Sequence, residues 1–395
     1  MRAVTVAASL VLIPALAQAE NDGTTQVVPT TDHAEVVGGT AAPSGKWPDA
    51  AAILFGGQQG CTGTLIAPNV VLTAGHCDDS TISVLIGTSS LARPGDGETL
   101  RMVSHRVTQG ADMTVIVLEQ ASKFTPRAIA SGWASLDIKN GAAVEIVGFG
   151  AIDPNASQFV DELQEVASTI TDFDCSVKAG CEQNELGAGG NGIDSCNGDS
   201  GGPLYLLTDY GNFLVGVTSR AYADATNPCG EGGIYGRPDK LLAEIEQLAG
   251  VPVTHGPEPT AEKLIALRGG GAETTIVDND PKSTTHTFTL KTSPTMGVAK
   301  VREDGRVRVC MNPDATPGDN DSVLVTVADT NDAARTLDVK IPISIATNAA
   351  SDECDVNAFE SGDDDGGCCS SGRSAAGSLP LSALVLGLVL RRRRR

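Results

Sequence analysis

Histidine is scarce in this chain: five residues against ten cysteines. So few imidazoles beside so many thiols favour disulfides over metal sites and an oxidising compartment. No metal and no cofactor is expected. Positive charge is short as well, with 28 Lys and Arg against 49 Asp and Glu and a formal net charge of −21. That balance argues against nucleic acid as a partner and for a well-solvated surface. Long apolar runs are also missing. The apolar stretch near the start, 3–16, is shorter than the ~20 residues that span a bilayer. The 395 residues are enough for two or three domains.

One stretch stands out against this background. Residues 194–203 read DSCNGDSGGP, which places one hydroxyl, Ser200, inside a turn too rich in glycine for regular structure. Small neighbours let backbone N–H groups approach whatever the hydroxyl attacks. Acyl transfer needs this pairing of a nucleophile with donors aimed at the developing oxyanion. A serine hydroxyl is weak alone, so a base and an orienting carboxylate are expected upstream. His76 stands in LTAGHC (72–77), after a run that reads as strand, turn, strand, with Cys77 beside it. Asp112 opens DMTVIVL (112–118), an apolar β-prone run at whose mouth a carboxylate can be desolvated and aimed at an imidazole. Asp96, Asp137 and the pair Asp78 and Asp79 compete for that role, but none opens an apolar strand midway between base and nucleophile.

These residues, in the order His, Asp, Ser, resemble the chymotrypsin/trypsin family of serine proteases over about residues 36–250. The GDSGGP and AGHC boxes are the specific part of the match. Gly75 departs from the family's usual alanine, a small-for-small change. The resemblance implies the catalytic set His76, Asp112 and Ser200, with the N–H groups of Gly198 and Ser200 as oxyanion hole. It places Asp194 at the base of a trypsin-like pocket, Gly233 at a small wall position, and Ser219 and Ala221 on the strand that pairs with the substrate backbone. Arg220 replaces a usual tryptophan and Ala221 a usual glycine, so a narrowed pocket, with Arg220 competing for Asp194, is part of the expectation. Val36 in VVGGT (36–40) matches the family's mature N-terminus. Cleavage before it frees an ammonium that pairs with Asp199, a disorder-to-order switch. Glu35 precedes that bond, so an enzyme that cuts after basic residues needs a separate activating protease. Cys61 and Cys77 resemble the family's histidine-loop disulfide. Cys175 and Cys181, close in sequence, are expected to pair, as are Cys196 beside the nucleophile and Cys229 beyond the pocket.

The rest of the chain reads as all-β. Apolar runs at 51–55, 64–66, 70–73, 82–86, 99–103 and 114–118, separated by turn residues, have the spacing of a first antiparallel barrel. A second is read from 141 to 248, with 144–148 its clearest strand. The family likeness implies six strands in each and a closing helix. Leu241, Leu242, Ile245 and Leu248 share one helix face, ended by Gly250. Residues 251–259, with three prolines, read as a linker. In 260–347 the alternation of 285–291, 305–310, 322–328 and 336–344 reads as a small β-sandwich, loosely similar to Ig-like or cadherin-like modules. Its acidic clusters 278–280 and 329–332 read as solvated turns in preference to Ca²⁺ sites, and the pairing of Cys310, Cys354, Cys368 and Cys369 stays open.

The ends read as processing signals. Arg2, the apolar 3–16 and Ala17-Gln18-Ala19 form a secretory signal peptide over 1–19, followed by a propeptide over 20–35. Residues 348–372 read as an acidic Gly/Ser stalk with a Cys pair, and 373–395 as an apolar segment ended by five arginines. This layout resembles the myxobacterial C-terminal sorting tag, MYXO-CTERM. It implies a sorting or processing enzyme as partner and attachment at the outer membrane or cell surface. Two functions follow from the whole: a secreted serine endopeptidase acting on protein or peptide substrates after Arg or Lys and made as a zymogen, or a surface adhesion protein with the protease domain as scaffold.

Overall fold

A computed structural model describes residues 36–78 and 82–359. The signal peptide, the propeptide, Asp79, Cys368, Cys369 and the sorting tail lie outside these residues.

A short strand, β1 (Thr40–Ala41), leads into six strands: β2 (Ala50–Phe55), β3 (Gln58–Ala67), β4 (Val70–Thr73), β5 (Ile82–Ile86), β6 (Glu98–Val107) and β7 (Thr114–Leu118). They close in the order β2-β3-β4-β7-β6-β5. Ile53, Leu65, Val71, Val84, Ile86 and Ile116 fill the interior, all fully buried. The second set is β8 (Ala143–Gly148), β9 (Gln164–Asp172), β10 (Glu185–Ala188), β11 (Pro203–Thr208), β12 (Gly211–Ala221) and β13 (Gly233–Gly236). Its sheet also closes, because β8 pairs with β9 as well as with β11, and β1 is added outside β9. The result is two closed six-stranded antiparallel barrels, the chymotrypsin-like architecture.

A single helix, α1 (Leu242–Ala249), follows, and Gly250 at φ +71° ends it in the left-handed conformation that glycine adopts freely. Ile245 and Ala249 pack with Leu72 and Met113 of the first barrel and Leu214 and Val217 of the second, so the helix seals the seam. A buried ion pair locks the same seam. Asp49 accepts from both Arg127 and the hydroxyl of Tyr205, at 2.5 and 2.6 Å.

The expected linker behaves otherwise. Thr254 donates to Ile66 O, and Ile129 accepts from Gly256 while donating to Thr254 O, each at 2.8–2.9 Å. Prolines hold residues 251–259 extended, and the exposed backbone of the barrels captures that extended segment as a strap. Beyond it lie β14 (Leu264–Arg268), β15 (Gly271–Thr275), β16 (His286–Thr292), β17 (Gly297–Val301), β18 (Arg306–Met311), β19 (Gly318–Asp329) and β20 (Thr336–Ala349). They form a four-stranded sheet, β14-β20-β19-β16, and a three-stranded one, β15-β18-β17, around one core of Val307, Val309, Val323, Val325, Ile341 and Ile343. Strand β20 runs past residue 347, and the first part of the expected stalk folds back. Cys354 bonds to Cys310, and Arg308 donates to Asp355 O at 2.8 Å.

Candidate active site

The histidine side is built by β4 and β7. Strand β4 ends at Thr73, and the chain turns through Gly75–Cys77 in a single 3₁₀ turn, tied to β3 by the Cys61–Cys77 disulfide. Thr73 pairs with Thr114, which brings Asp112, just ahead of β7, beside that turn. Asp112 holds His76 twice: Oδ2 lies 2.8 Å from Nδ1, and Oδ1 accepts the His76 backbone N–H at 2.9 Å. Ser219 on β12 donates to the same Oδ2 at 2.6 Å. Burial pushes the Asp112 carboxyl up, but the bonds from His76 and Ser219 outweigh it and hold the group at about 2. The bond to Asp112 in turn raises His76 above its ordinary value.

The serine side is wedged between the barrels. Gly201 has φ +81°, and a Cβ there would sit 2.0 Å from Thr73 Oγ1 and 2.4 Å from Thr62 O, so only glycine lets the turn lie this close to β3 and β4. Thr62 donates its N–H to Ser200 O, and Gln59 and Thr62 side chains donate to Gly198 O, all at 2.9 Å. The first barrel thus grips the carbonyls of the nucleophile turn. Among the described residues no hydrogen bond joins His76 Nε2 to Ser200 Oγ. Such bonds are commonly long in an unliganded site and tighten with substrate.

Ser200, Asp194, Thr218, Ser219 and Ala221 line one slot of about 60 Å³. Asp194 is 2 % exposed. Its Oδ2 accepts the N–H groups of Gly230 and Gly232 at 2.9 and 3.0 Å, while Oδ1 has no partner. Burial raises this carboxyl to about 6, the backbone bonds opposing it. A Cβ at Gly233 would stand 3.2 Å from Oδ1, and Gly233 pairs with Ala221 across the slot. The expected competition from Arg220 does not occur. Its guanidinium turns to Glu185, with bonds of 2.6 and 2.8 Å, and to Gly180 O. A buried carboxylate on β10, across β13 from Arg220, offers a two-point partner that Asp194, already holding two amides, does not.

Behind the slot, Asp199 is fully buried and accepts from Gly150 and Cys196 N–H groups at 2.7 and 2.8 Å. Burial raises it to about 7. Val36 is fully buried in the second barrel's core, Val37 packs on the Cys196–Cys229 disulfide, and Asp194 N–H donates to Val37 O. The Cys175–Cys181 bond closes the loop before β10.

The competing aspartates are engaged elsewhere: Asp78 with His105, Asp96 with Arg93, and Asp137 with Lys282 and Arg335. Sequence reasoning missed the second hold on Asp112. Ser219 was read only as a substrate-pairing residue, and nothing local signals a hydroxyl that reaches across 107 residues. Glu185, the anchor of Arg220, was missed as well.

The family model described as Trypsin matches residues 36–241. Trypsin delta of Drosophila melanogaster is 30% identical over 205 residues, covering 48% of this chain and 79% of that protein. Glucanase inhibitor protein 3 of Phytophthora infestans is 32% identical, covering 55% and 91%. Human Serine protease 56 is 29% identical over 60% of this chain, which spans 42% of its length. With the family model covering over half of its length, the chain belongs to the trypsin family of serine proteases.

Proposed function

We propose that the protein is a secreted serine endopeptidase that cuts peptide bonds after Arg or Lys. The observation that carries the specificity is the buried Asp194 oxygen, which has no partner and faces the same slot as Ser200. A basic side chain entering the slot supplies the missing cation and relieves the cost of a desolvated charge. In the reaction Ser200 Oγ attacks the scissile carbonyl while His76 Nε2 takes its proton. The N–H groups of Gly198 and Ser200 receive the oxyanion. His76 then protonates the leaving amine, and water repeats the sequence on the acyl-enzyme. Asp112 keeps the Nδ1 proton in place and stabilises the imidazolium.

Activation follows from Val36 and Asp199. A cut before Val36, by a separate protease, frees an ammonium group, and Asp199 is a buried carboxylate with no cation partner among the described residues, ready to receive it. The two-sheet unit at 260–349 is an Ig-like sandwich that holds the protease away from its anchor. Residues 1–19 direct secretion, and 373–395 direct a sorting enzyme to fix the protein at the cell surface. No helix among the described residues is long and apolar enough to cross a membrane.

The test uses the secreted chain cut to begin at Val36, with chromogenic peptides ending in Arg, Phe or Ala, against Ser200→Ala. Turnover of the Arg peptide, reduced by roughly 10⁶ in kcat in the variant, is expected. Turnover of only the Phe or Ala peptide keeps the protease and overturns the pocket assignment. A second reading, a binding protein on the same fold, is favoured by the relative named as a glucanase inhibitor. It predicts no turnover and no labelling of Ser200 by a serine-directed phosphonate.

A further inference from the structure

Arg220 sits where it touches the catalytic hydrogen-bond chain from behind. Its side chain is 40% exposed and spans from Glu185 on β10 to Ser219 on β12. Nη1 lies 2.6 Å from Glu185 Oε1 and 3.1 Å from Ser219 Oγ, while Nη2 reaches Glu185 Oε2 at 2.8 Å and Gly180 O at 2.7 Å. Ser219 Oγ is in turn 2.6 Å from Asp112, and Asp112 is 2.8 Å from His76. The chain of contacts therefore runs from Glu185 to Arg220, Ser219, Asp112 and His76 without a gap.

The donor rules fix its direction. A guanidinium carries only donors, and a serine hydroxyl has one hydrogen and two acceptor positions. Ser219 must accept from Arg220, so its single hydrogen is left for Asp112. Without Arg220 that hydroxyl is free to rotate toward water or toward a backbone carbonyl. A charged donor on the hydroxyl oxygen also polarises the O–H it presents to the carboxylate. The cation makes four hydrogen bonds, two from Nη1 to Glu185 and Ser219 and two from Nη2 to Glu185 and Gly180.

We propose that Arg220, anchored by the buried carboxylate of Glu185, is a positioning residue for the catalytic aspartate: it orients the Ser219 hydroxyl onto Asp112 and sets the charge felt by the His76–Asp112 pair. This rests on the endopeptidase reading above for its effect on turnover, but its electrostatic part does not. The charged groups around the guanidinium are Glu185 and Glu182 on the 182–185 side and Asp112 on the other. The pair's net effect on His76 is a balance of one cation against one anion. Removing the cation leaves Glu185 to raise the affinity of His76 for its proton. Removing the anion leaves Arg220 to lower it.

The test compares Arg220→Met, Arg220→Lys, Glu185→Gln and the double variant Arg220→Met/Glu185→Gln in the full mature protein. Two readouts are taken: the acid limb of kcat/KM on an Arg-ending peptide, and an NMR titration of the His76 ring proton, which needs no turnover. The midpoint is expected to rise by about 0.5 pH unit in Arg220→Met and to fall by about as much in Glu185→Gln, for single charges screened by a polar surface. It returns to the starting value in the double variant and stays there in Arg220→Lys. In Arg220→Met and in the double variant, which have no cation at position 220, kcat falls about tenfold with KM nearly unchanged, since the hydroxyl loses its orientation. Shifts of the same sign in Arg220→Met and Glu185→Gln, or none, overturn the proposal and leave Arg220 a surface ion pair. The double variant guards against a single variant that fails to fold through an unpaired buried Glu185. An absent turnover with the NMR shifts intact refutes the endopeptidase reading alone.

Discussion

The active-site cleft and the junction between the barrels and the two-sheet unit treat buried carboxylates in opposite ways. At the junction every one is matched. Asp137 binds Lys282 at 2.8 Å and the Tyr210 hydroxyl at 2.6 Å, with Arg335 at 3.5 Å. Asp280 binds Arg335 at 2.9 Å and lies 3.4 Å from His286 Nε2. Trp133, from the protease side, is fully buried in the core of the two-sheet unit and donates to Asp278 O. Although burial works against it, Asp137 is held below the ordinary carboxylate range by these partners. In the cleft, among the described residues, Asp194 and Asp199 have only backbone amides, and burial lifts them to about 6 and about 7. The Asp280 side chain at the junction is as fully buried as Asp194 and Asp199 in the cleft, so burial is not the difference. Among the described residues the junction is complete as it stands, whereas the cleft lacks two cations. We read that deficit as the places kept for a basic substrate side chain and for the ammonium of Val36.

The largest test of this contrast removes the waiting charge. Asp194→Ser is expected to lower kcat/KM for an Arg-ending peptide by about 10³-fold, in line with losing one partner of a desolvated charge pair, and to leave protection by a small amidine undetectable. Retained preference for Arg would sink the assignment of Asp194 as selector. The junction should respond in the other coin, stability with no change in specificity. Arg335→Met takes from Asp280 its arginine partner and is expected to cost about 3 kcal/mol, read by urea unfolding, while the folded protein cleaves the Arg peptide as before. Arg335→Met with Asp280→Asn recovers part of that loss. If Arg335→Met instead alters peptide preference, the junction is part of the active site and the contrast drawn here fails.

Much of this was legible in the chain itself. Strands β4, β5 and β7 coincide with the apolar runs at 70–73, 82–86 and 114–118, because each is short, apolar and bounded by turn residues. His76 and Asp112 could be picked out for a related reason, since each stands at the end of such a run. Strand β3 begins six residues before its expected start, at Gln58. Its polar opening gives no apolar signal, and pairing with β2 alone makes it a strand. The strap at 251–259 was invisible for the converse reason. Its prolines announce an extended chain but not the carbonyl of Ile66 that holds it. Trp133 carries a further lesson. A tryptophan in a 3₁₀ segment of the protease domain is an ordinary core residue by sequence, and only the fold shows that the core it enters belongs to another unit. Partners fixed by tertiary approach, Ser219 with Asp112 and Arg220 with Glu185, have no local pattern to read.

The smallest effect concerns pH, and it separates the two unmatched carboxylates. Each has a folded value raised from about 3.8, to about 6 for Asp194 and about 7 for Asp199. Between those limits the folded chain keeps protons that the unfolded chain has released, so stability falls as pH rises from about 4 to about 7. For Asp194 the two-unit rise corresponds to about 3 kcal/mol at most. Cleavage before Val36 changes only one of these terms. On the activation proposed above, the new ammonium pairs with Asp199, lowers its value and removes its share of the loss, while Asp194 keeps its own until a basic ligand arrives. Melting of Ser200→Ala protein, uncut and cut before Val36, is therefore expected to diverge by a few degrees at pH 8 and to converge near pH 5. The cut form is the more stable at pH 8, and an added amidine raises it further. Identical pH dependence in the two forms would mean that Val36 does not reach Asp199, and the deficit in the cleft would then be Asp194's alone.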